Sequence, residues 1–455
     1  MPAAASEKPT AIDIGTRREL FVDQFLVERL SGDAKLKLQR PTPHEVVLET
    51  DRPWEGNTCA YYTIFRDGDL FRMYYRGSHF DEKNRRSAHP EVTCYAESRD
   101  GIHWTRPELG LFEFNGSKRN NIVWSGPGSH NFTPFKDNNP QCPPDARYKA
   151  LAFVPKTGPY KKRGLIALKS ADGIHWSLMV PQPVITKGAF DSQNLAFWDA
   201  HAGLYREYHR TFESGVRAIM TGTSRDFIHW TDPVLLQYPG APKQHLYTNA
   251  IMPCPRAPHI LIGFPTRYLP QEGQRVEPTF MASRDGRIFH RWLDPVIPKD
   301  APKDRAGNRS NYMAWGLVQL PGNDREYSVY ATEAYYTGPS SRLRRFTYRV
   351  DGFVSLHAGP GGGELVTKPL QFAGKKLMVN FRTESDGCVQ VELQTPDGRP
   401  IAEFALERCA PLRGDAIDQA VRWKGEPDLA ALAGQAIRVR FHLKDADVFS
   451  FRFAP

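Results

Sequence analysis

Short apolar runs alternate with turn residues along most of the chain. The runs at residues 92–96, 165–168, 218–221 and 279–282 are four or five residues long, and each leads into a Ser-x-Asp turn. Runs of this length, bounded by residues that favour turns, are typical of β-strands. The pattern therefore predicts an all-β fold built from many short strands.

The turn that follows these runs is repeated. The sequence Ser98-Arg99-Asp100-Gly101-Ile102-His103-Trp104 returns at residues 170–176, at 224–230 and, more loosely, at 283–289, and residues 349–353 are a weaker fifth copy. Asp-Gly favours a tight turn, because Gly accepts positive φ and Asp bonds nearby backbone. We expect the Trp to hold the outgoing strand against the neighbouring unit, and the histidines of the motif to be structural. A unit that recurs in this way predicts a stacked or radial array.

Each copy of the turn ends a unit with the same order of parts. An inner segment leads, a second strand follows, and a third strand runs into the turn. Five such units predict a five-bladed β-propeller over residues 1–358. We expect the strand around Phe21 to complete the last blade and close the ring.

The pattern changes after the glycine-rich segment 359–363. Four later segments largely alternate apolar and polar residues, which is typical of strands with one buried face. We predict a β-sandwich domain over residues 359–455, with one helical turn at 428–432. The alternating segments are residues 377–381, 388–393, 436–443 and 448–453.

These features resemble glycoside hydrolase family 32 and its relatives in families 43 and 68, which join a five-bladed propeller to a β-sandwich. The resemblance is architectural over nearly the whole chain, and it implies glycoside cleavage by three carboxylates from blades one to three. Trp54-Glu55-Gly56-Asn57 lies near the position of the family's WMNDPNG-like motif, Lys136-Asp137-Asn138 near its RDP motif, and Asp191 near its Glu-Cys acid. The departures from these motifs argue against fructan as substrate. In these departures the chain more closely resembles the uncharacterised family-32-like proteins of bacteria.

Three carboxylates lie on inner segments, and residues that open the innermost strands of a propeller converge on a central funnel. Glycoside cleavage needs two carboxyl groups, and a third tunes the others through its charge. We predict Glu55 as nucleophile or base, Asp137 as transition-state stabiliser and Asp191 as acid. The structural alternatives are that Asp137 caps a turn and Asp191 forms an Asx-turn. Glu333, at the end of the second strand of blade five, is a reserve acid, or equally a partner of a nearby arginine.

Several other side chains are expected at the funnel mouth as substrate ligands. Guanidinium groups bind carboxylate or sulfate in a bidentate fashion, so arginines from four blades would suit an anionic glycan; ion pairs between blades are the alternative. Neutral donors would bond sugar hydroxyls, and Trp54 would stack on a sugar or belong to the core, as would Trp315. The predicted ligands are Trp54, Arg76, Arg210, His245, Tyr247, Asn249, Arg267, Arg309 and Asn311.

Composition narrows the class of partner. The chain has 455 residues and a formal net charge of +9, but its basic residues are dispersed, so we expect no nucleic-acid partner. The absence of an apolar run of eighteen residues predicts no membrane span. The six cysteines form no CxxC pair, so we expect neither a metal nor a cofactor. A secreted or periplasmic location is expected if a leader peptide has been removed, and a cytoplasmic one otherwise; the oligomeric state is left open.

The sequence thus favours a glycosidase that acts in a funnel-shaped pocket on an oligosaccharide or polysaccharide that carries uronate or sulfate. Two alternatives stay open. One is a glycan-binding propeller without catalysis, in which the carboxylates only accept hydroxyl protons. The other is a polysaccharide lyase, in which His245 and Tyr247 remove a proton beside a uronate.

Overall fold

A computed structural model describes residues 11–298 and 311–455. Its residues form two compact units, one from Arg40 to Tyr348 and one that joins the chain up to Gln39 with Arg349–Pro455. Strands dominate both units, so the predicted all-β class is confirmed. The helical elements of the described residues are four short 3-10 turns at Pro144–Ala146, Ala402–Phe404, Leu406–Arg408 and Leu429–Leu432.

The unit Arg40–Tyr348 is a five-bladed β-propeller, as predicted. Four blades are antiparallel four-stranded sheets. Among the second strands of the blades, that of blade three, Leu204–Glu213, is the longest. From the innermost strand outwards, the strands are Ala60–Asp67, Leu70–Gly77, Val92–Ser98 and Ile122–Ser125 in blade one; Thr133–Lys136, Tyr148–Val154, Gly164–Ser170 and Ser177–Leu178 in blade two; Leu195–Asp199, Leu204–Glu213, Val216–Ser224 and Val234–Leu235 in blade three; and Met252–Cys254, Ala257–Gly263, Phe280–Ser283 and Phe289–Trp292 in blade four.

Blade five closes the ring with a strand from the N-terminal part of the chain. Its sheet has the order Glu326–Glu333, Arg342–Arg349 and Thr42–Glu49. The inner segment joins through bridges from Met313 and Val318 to the first of these strands. The predicted closure by the strand around Phe21 is wrong, because Thr42–Glu49 holds that edge. Two hairpins complete the unit, Phe80–Asp81 with Arg86–Ser87 and Thr266–Leu269 with Arg275–Pro278.

The repeated turn is held by its own polar side chains. In the second copy, one carboxylate oxygen of Asp172 accepts hydrogen bonds from the backbone N–H groups of Ile174 and His175, both at 2.8 Å. The other oxygen contacts His175 Nδ1 at 2.7 Å. The other complete copies, around Asp100 and Asp226, repeat these contacts. The motif histidines are therefore structural, as predicted.

The same turns link neighbouring blades. Tyr74 of blade one donates to the carbonyl of Gly173 in blade two at 2.9 Å, and Tyr330 of blade five donates to Gly101 in blade one at 2.7 Å. Two of the motif tryptophans pack edge-on against the same tyrosines: Trp176 lies 6.3 Å from Tyr74, and Trp104 lies 6.3 Å from Tyr330, between ring centroids. The repeat therefore specifies blade-to-blade contacts as well as turns.

The innermost segments are tied together at the propeller axis. Trp315, from blade five, donates through its indole N–H to the carbonyl of Ile251 in blade four at 2.8 Å. Gln193, from blade three, donates to the carbonyl of Tyr62 in blade one at 3.1 Å. All four residues are buried. The role of Trp315 is thus in the core, where its hydrogen bond satisfies a carbonyl that water cannot reach.

The second unit is built on two long strands, Lys376–Gln394 and Ala436–Ala454, which pair along most of their length. They belong to a ten-stranded sheet around one apolar core, the arrangement expected of a sandwich. The predicted helical turn is present at Leu429–Leu432, and the Asp428 side chain caps it. The other strands are Ile12–Gly15, Glu19–Leu20, Val27–Gly32, Lys35–Leu38, Val354–Ala358, Gly363–Thr367, Leu370–Phe372 and Asp415–Ala420.

The division of the chain differs from the predicted boundary between residues 358 and 359. Val354–Ala358 pairs with Ala436–Ala454 and with Lys35–Leu38, so it belongs to the second unit. Phe21 lies in the core of that unit, 5.7 Å from Phe441 between ring centroids. The glycine-rich segment is therefore a connection within this unit rather than a linker between domains.

Substituting Asp172→Ala should destabilise the propeller, because two backbone N–H groups lose a charged acceptor. Such bonds contribute about 1–3 kcal/mol, so we expect a loss of that order in the free energy of unfolding, measured by urea denaturation. His175→Ala is the matched control. Its ring is 70% exposed, and an exposed ion pair is worth at most about 1 kcal/mol. Equal losses for the two variants would contradict the role given to the carboxylate–backbone bonds.

Candidate active site at the propeller mouth

One residue from the start of each innermost segment reaches the same end of the propeller. Tyr61 of blade one packs against His130 of blade two, with ring centroids 5.6 Å apart. His130 Nε2 lies 2.9 Å from an oxygen of Asp191 in blade three. The Tyr247 hydroxyl of blade four lies 3.4 Å from the other oxygen, and its ring is 5.7 Å from Tyr312 of blade five. This ring of side chains defines the mouth.

A cavity of about 200 Å³ opens at this mouth. Its wall is mostly tyrosine, and neighbouring rings contact one another edge-on, as between Tyr312 and Tyr335 at 5.5 Å. Such a wall offers flat apolar faces together with hydroxyl groups. The lining residues are Ala60, Tyr61, Arg217, Tyr247, Tyr268, Gln274, Tyr312, Tyr335 and Tyr336.

The backbone at this mouth is strained at several positions. Tyr61, Asn311 and Tyr336 have φ values of 57°, 74° and 57°. Non-glycine residues rarely adopt this left-handed conformation, and such residues cluster at functional sites. The strain therefore marks the mouth independently of the polar side chains.

Asp191 is the carboxylate of the mouth, and its side chain is 58% exposed. Besides His130 and Tyr247, it contacts Arg210, whose Nη2 lies 3.6 Å from Oδ2. The hydrogen bond with His130 lowers the pKa of Asp191 to about 2, and the nearby Arg210 adds to this effect against the opposing effect of burial. The Asp191 carboxylate is therefore ionised at neutral pH and open to solvent.

His130 joins two carboxylates. Its Nδ1 lies 2.8 Å from Glu91, and its Nε2 lies 2.9 Å from Asp191. Burial favours the neutral imidazole, but the hydrogen bonds with Asp191 and Glu91 outweigh burial and raise the pKa of His130. Arg76 lies beside this group, with Nη1 3.6 Å from Glu91 and Nη2 bonded to the Tyr335 hydroxyl at 2.9 Å. The arrangement holds Asp191 in one orientation.

Glu55 lies away from this mouth. Its side chain is fully buried in blade one, where it accepts a hydrogen bond from Tyr75 at 2.5 Å and pairs with Arg106 at 3.2 Å. Burial raises the pKa of Glu55, although Arg106 and Tyr75 favour the ionised form. The innermost strand of blade one is Ala60–Asp67, so Glu55 lies on the preceding loop rather than on the inner segment. This placement favours a structural role.

Asp137 lies at the other end of the channel, by which we mean the space that the five innermost segments surround. It follows the innermost strand Thr133–Lys136 and therefore comes where that strand ends. The carboxylate is buried, pairs with Lys149 and accepts a hydrogen bond from Tyr205 at 2.6 Å. Its other oxygen accepts a hydrogen bond from the backbone N–H of Asn139 at 2.9 Å. Asp137 therefore caps a turn, which is the structural alternative to its role as transition-state stabiliser.

Glu333 is buried between arginines. Its oxygens lie 2.5 Å from Arg344 Nε and 3.4 Å from Arg342 Nη2. Glu333 is thus the partner of nearby arginines, which is the alternative to its role as a reserve acid. Both of its carboxylate oxygens contact a guanidinium group. Of the four predicted catalytic carboxylates, the structure thus places Asp191 alone in the mouth.

The predicted substrate ligands divide in the same way. Arg76, Arg210 and Tyr247 lie at the mouth, and His245 lies beside it, 3.1 Å from the backbone N–H of Arg217. Three others have structural contacts: Trp54 donates to Asn121 at 2.6 Å, Asn249 accepts from the Ile251 N–H at 3.2 Å, and Arg267 pairs with Glu277. Asn311 lies at the mouth, where its backbone N–H donates to the Thr332 carbonyl at 2.7 Å. Arg309 lies outside the described residues.

Sequence reasoning missed several residues of the mouth. His130 directly precedes Asn131, which opens the inner segment of blade two, so its position carried a usable signal. Tyr61 was missed because the inner segment of blade one was placed one element too early. Arg217 lies near the start of the third strand of blade three, Val216–Ser224, to which the rule that inner segments converge does not apply. The remaining missed residues are Glu91, Tyr268, Gln274, Tyr312, Tyr335 and Tyr336.

Two further properties of the described residues bear on the class of protein. Within residues 11–298 and 311–455, no group of three or more His, Cys, Asp or Glu side chains is placed to hold a metal ion. In the same ranges, no helix has the length and apolar character needed to cross a membrane.

Comparison with known sequences gives little identity. No family model matches the chain. Uncharacterized proteins from two strains of Mycobacterium tuberculosis, CDC 1551 / Oshkosh and ATCC 25618 / H37Rv, are each 26% identical over 123 residues, which is 26% of this chain. The match spans 33% of each of these relatives, so it covers about a third of their length.

Solved structures with a similar fold are carbohydrate-active enzymes. One is a family 43 arabinoxylan arabinofuranohydrolase from Bacillus subtilis, with 12% identity, coverage of 89% of this chain and 97% of that one, and a TM-score of 0.41. Another is an alpha-L-arabinofuranosidase catalytic domain from Coprinopsis cinerea, with 8% identity, coverage of 69% of this chain and 98% of that one, and a TM-score of 0.47. A third is a beta-1,2-mannobiose phosphorylase from Listeria innocua, with 11% identity, coverage of 70% of this chain and 97% of that one, and a TM-score of 0.42. At such scores the similarity does not identify site residues, and the family 32 resemblance stays a prediction.

Substituting His130→Gln should reduce stability in a pH-dependent way. Because the folded-state pKa of His130 is raised, its contribution is fully present below the unfolded pKa of about 6.5 and is lost as pH rises through the folded value. We expect a loss of about 1–3 kcal/mol near pH 6 and a smaller one near pH 9, measured by urea denaturation. His201→Gln, at a histidine without an ion pair among the described residues, should show no such trend. A loss that does not change with pH would contradict the charged network.

Proposed function

We propose that this protein is a carbohydrate-active enzyme that cleaves a glycosidic bond at the propeller mouth. The observation that carries the proposal is an ionised, solvent-exposed carboxylate, Asp191, beside a cavity walled by tyrosine. Aromatic faces and hydroxyl groups suit a sugar ring, and the carboxylate suits the reacting carbon or the attacking water.

The electrostatics of Asp191 favour the role of nucleophile or base over the acid role expected from sequence. A general acid must hold its proton near neutral pH, whereas His130 and Arg210 keep the pKa of Asp191 near 2. An ionised carboxylate can attack the anomeric carbon or take a proton from water. Either role uses the lone pairs that face the solvent.

Tyr247 is the candidate hydrogen-bond donor to the departing oxygen. Its hydroxyl is 3.4 Å from Asp191, and burial raises the pKa of Tyr247, with the charge of Asp191 adding to the shift. The phenol therefore keeps its proton at neutral pH and can donate a hydrogen bond to the departing oxygen. Its raised pKa makes it a hydrogen-bond donor rather than a source of a transferred proton.

The lyase alternative has less support. Its base would have to lose a proton readily, but the pKa of Tyr247 is raised. His245 lies against Arg217 rather than beside Asp191. A glycan-binding module without catalysis would need no exposed carboxylate with a lowered pKa, although such a group could accept hydrogen bonds from sugar hydroxyls.

The test is product analysis on a panel of neutral and acidic glycans, with and without inorganic phosphate. Cleavage that Asp191→Asn reduces by at least about 10²-fold would support the proposal, since the amide is neither nucleophile nor base. Asp232→Asn, at an exposed aspartate outside the mouth, should retain activity. Reducing sugar without phosphate indicates a hydrolase, and sugar phosphate indicates a phosphorylase.

Three results would overturn this proposal. A product that absorbs in the ultraviolet indicates a lyase, and binding without any product indicates a glycan-binding module. Full activity of the Asp191→Asn variant would show that another residue is the nucleophile or base. The variant keeps the shape of the side chain, so a folded, inactive protein can be distinguished from a misfolded one by its urea transition.

A further inference from the structure

Arg217 differs from the other arginines of the mouth in having no carboxylate partner. Arg76 pairs with Glu91 at 3.6 Å, and Arg210 pairs with Asp191 at the same distance. Within the described ranges, no carboxylate oxygen lies within 4 Å of the Arg217 guanidinium, and its buried Nε has no hydrogen-bond partner. Its positive charge is therefore not neutralised by a neighbouring residue of this part of the chain.

Aromatic rings hold the Arg217 guanidinium in place. Its central carbon lies 4.5 Å from the ring centroid of Tyr268 and 5.1 Å from that of Tyr247. Stacking of this kind orients the planar group and leaves its edge of N–H donors for a ligand. Within the described residues, the polar side chain that contacts the guanidinium is His245, with Nδ1 3.5 Å from Nη1.

The position of Arg217 relative to Asp191 sets where an anion would bind. The Tyr247 ring lies 5.0 Å from Arg210 and 5.1 Å from Arg217, and its hydroxyl reaches Asp191. Arg217 and Tyr247 both line the cavity. An anion bound by Arg217 would thus belong to a sugar that is separated from the Asp191 carboxylate by the side chain of Tyr247.

The local charge supports an anionic ligand. Three guanidinium groups, those of Arg76, Arg210 and Arg217, face the two carboxylates of Glu91 and Asp191. Burial and the charge of Arg217 both lower the pKa of His245, as expected beside a positive charge without a counterion. The mouth therefore carries a net positive charge, and the excess lies on the side of Arg217.

We infer that Arg217 forms an anion-binding subsite that recognises a carboxylate or sulfate on the sugar bound in the tyrosine-lined cavity. This inference rests on the proposed function and narrows its substrate class to acidic glycans. It takes the place of Arg76, Arg210 and Arg267 as the expected anion ligands, since Arg267 is paired with Glu277 and Arg76 and Arg210 are held by carboxylates of the mouth.

The experiment measures binding in an Asp191→Asn background, so that the result does not depend on turnover. The probes are digalacturonate, its carboxyl-reduced form, galactose 6-sulfate and galactose, titrated by calorimetry. Arg217→Gln should weaken binding of the acidic probe by about 10-fold to 100-fold, the loss expected for charge-assisted bonds, and leave its neutral counterpart unchanged. Comparison of the uronate and sulfate arms identifies which anion the subsite takes.

The matched control is Arg225→Gln, at an exposed arginine on the repeated turn of blade three. It removes the same charge and should leave all four affinities unchanged. Equal affinity of the parent for acidic and neutral probes would overturn the inference, as would an equal loss of both on Arg217→Gln. The proposed function fails separately, if the protein with Asp191 intact turns over no glycan.

Discussion

Trp315 and Gln193 carry hydrogen bonds between the innermost segments at the propeller axis. The Trp315 indole N–H satisfies the Ile251 carbonyl, and Gln193 is a second donor to the Tyr62 carbonyl, which also accepts the backbone N–H of Trp315. Their bonds to Ile251 and Tyr62 link blades one, three, four and five. Because a buried carbonyl without a partner is costly, these bonds fix the relative positions of the inner segments. The mouth above depends on that arrangement, since each of its five side chains starts one such segment.

The direction of the inner strands decides which polar residues can meet. Residues at the start of a strand, such as His130 and Asp191, reach the tyrosine-lined mouth, whereas Asp137, at the end of its strand, reaches the opposite side of the channel. The four candidate carboxylates also differ in whether a ligand can reach them. Glu55, Asp137 and Glu333 are buried and fully paired, and Asp191 alone of these candidates keeps lone pairs open to solvent.

Much of the fold could be predicted from the sequence, because the repeated turn encodes its own hydrogen bonds and its contacts with the next blade. Closure could not, since Thr42–Glu49 has only the short apolar run at residues 46–48, whereas the region around Phe21 is more apolar, and only long-range pairing places the former in blade five. In the site, Asp191 and Tyr247 followed from the rule that inner segments converge. Arg217 did not, because its position depends on stacking against Tyr268, which no local pattern records.

The proposed function requires sugar to bind at the start of the inner strands, beside Asp191. A crystal structure of the Asp191→Asn variant with an acidic oligosaccharide tests this placement. We expect a sugar ring against Tyr247 or Tyr312, with a glycosidic oxygen or anomeric carbon within contact of residue 191. A sugar bound at the opposite end of the channel near Asp137, or beside Glu55, with the tyrosine-lined cavity empty, would contradict this placement.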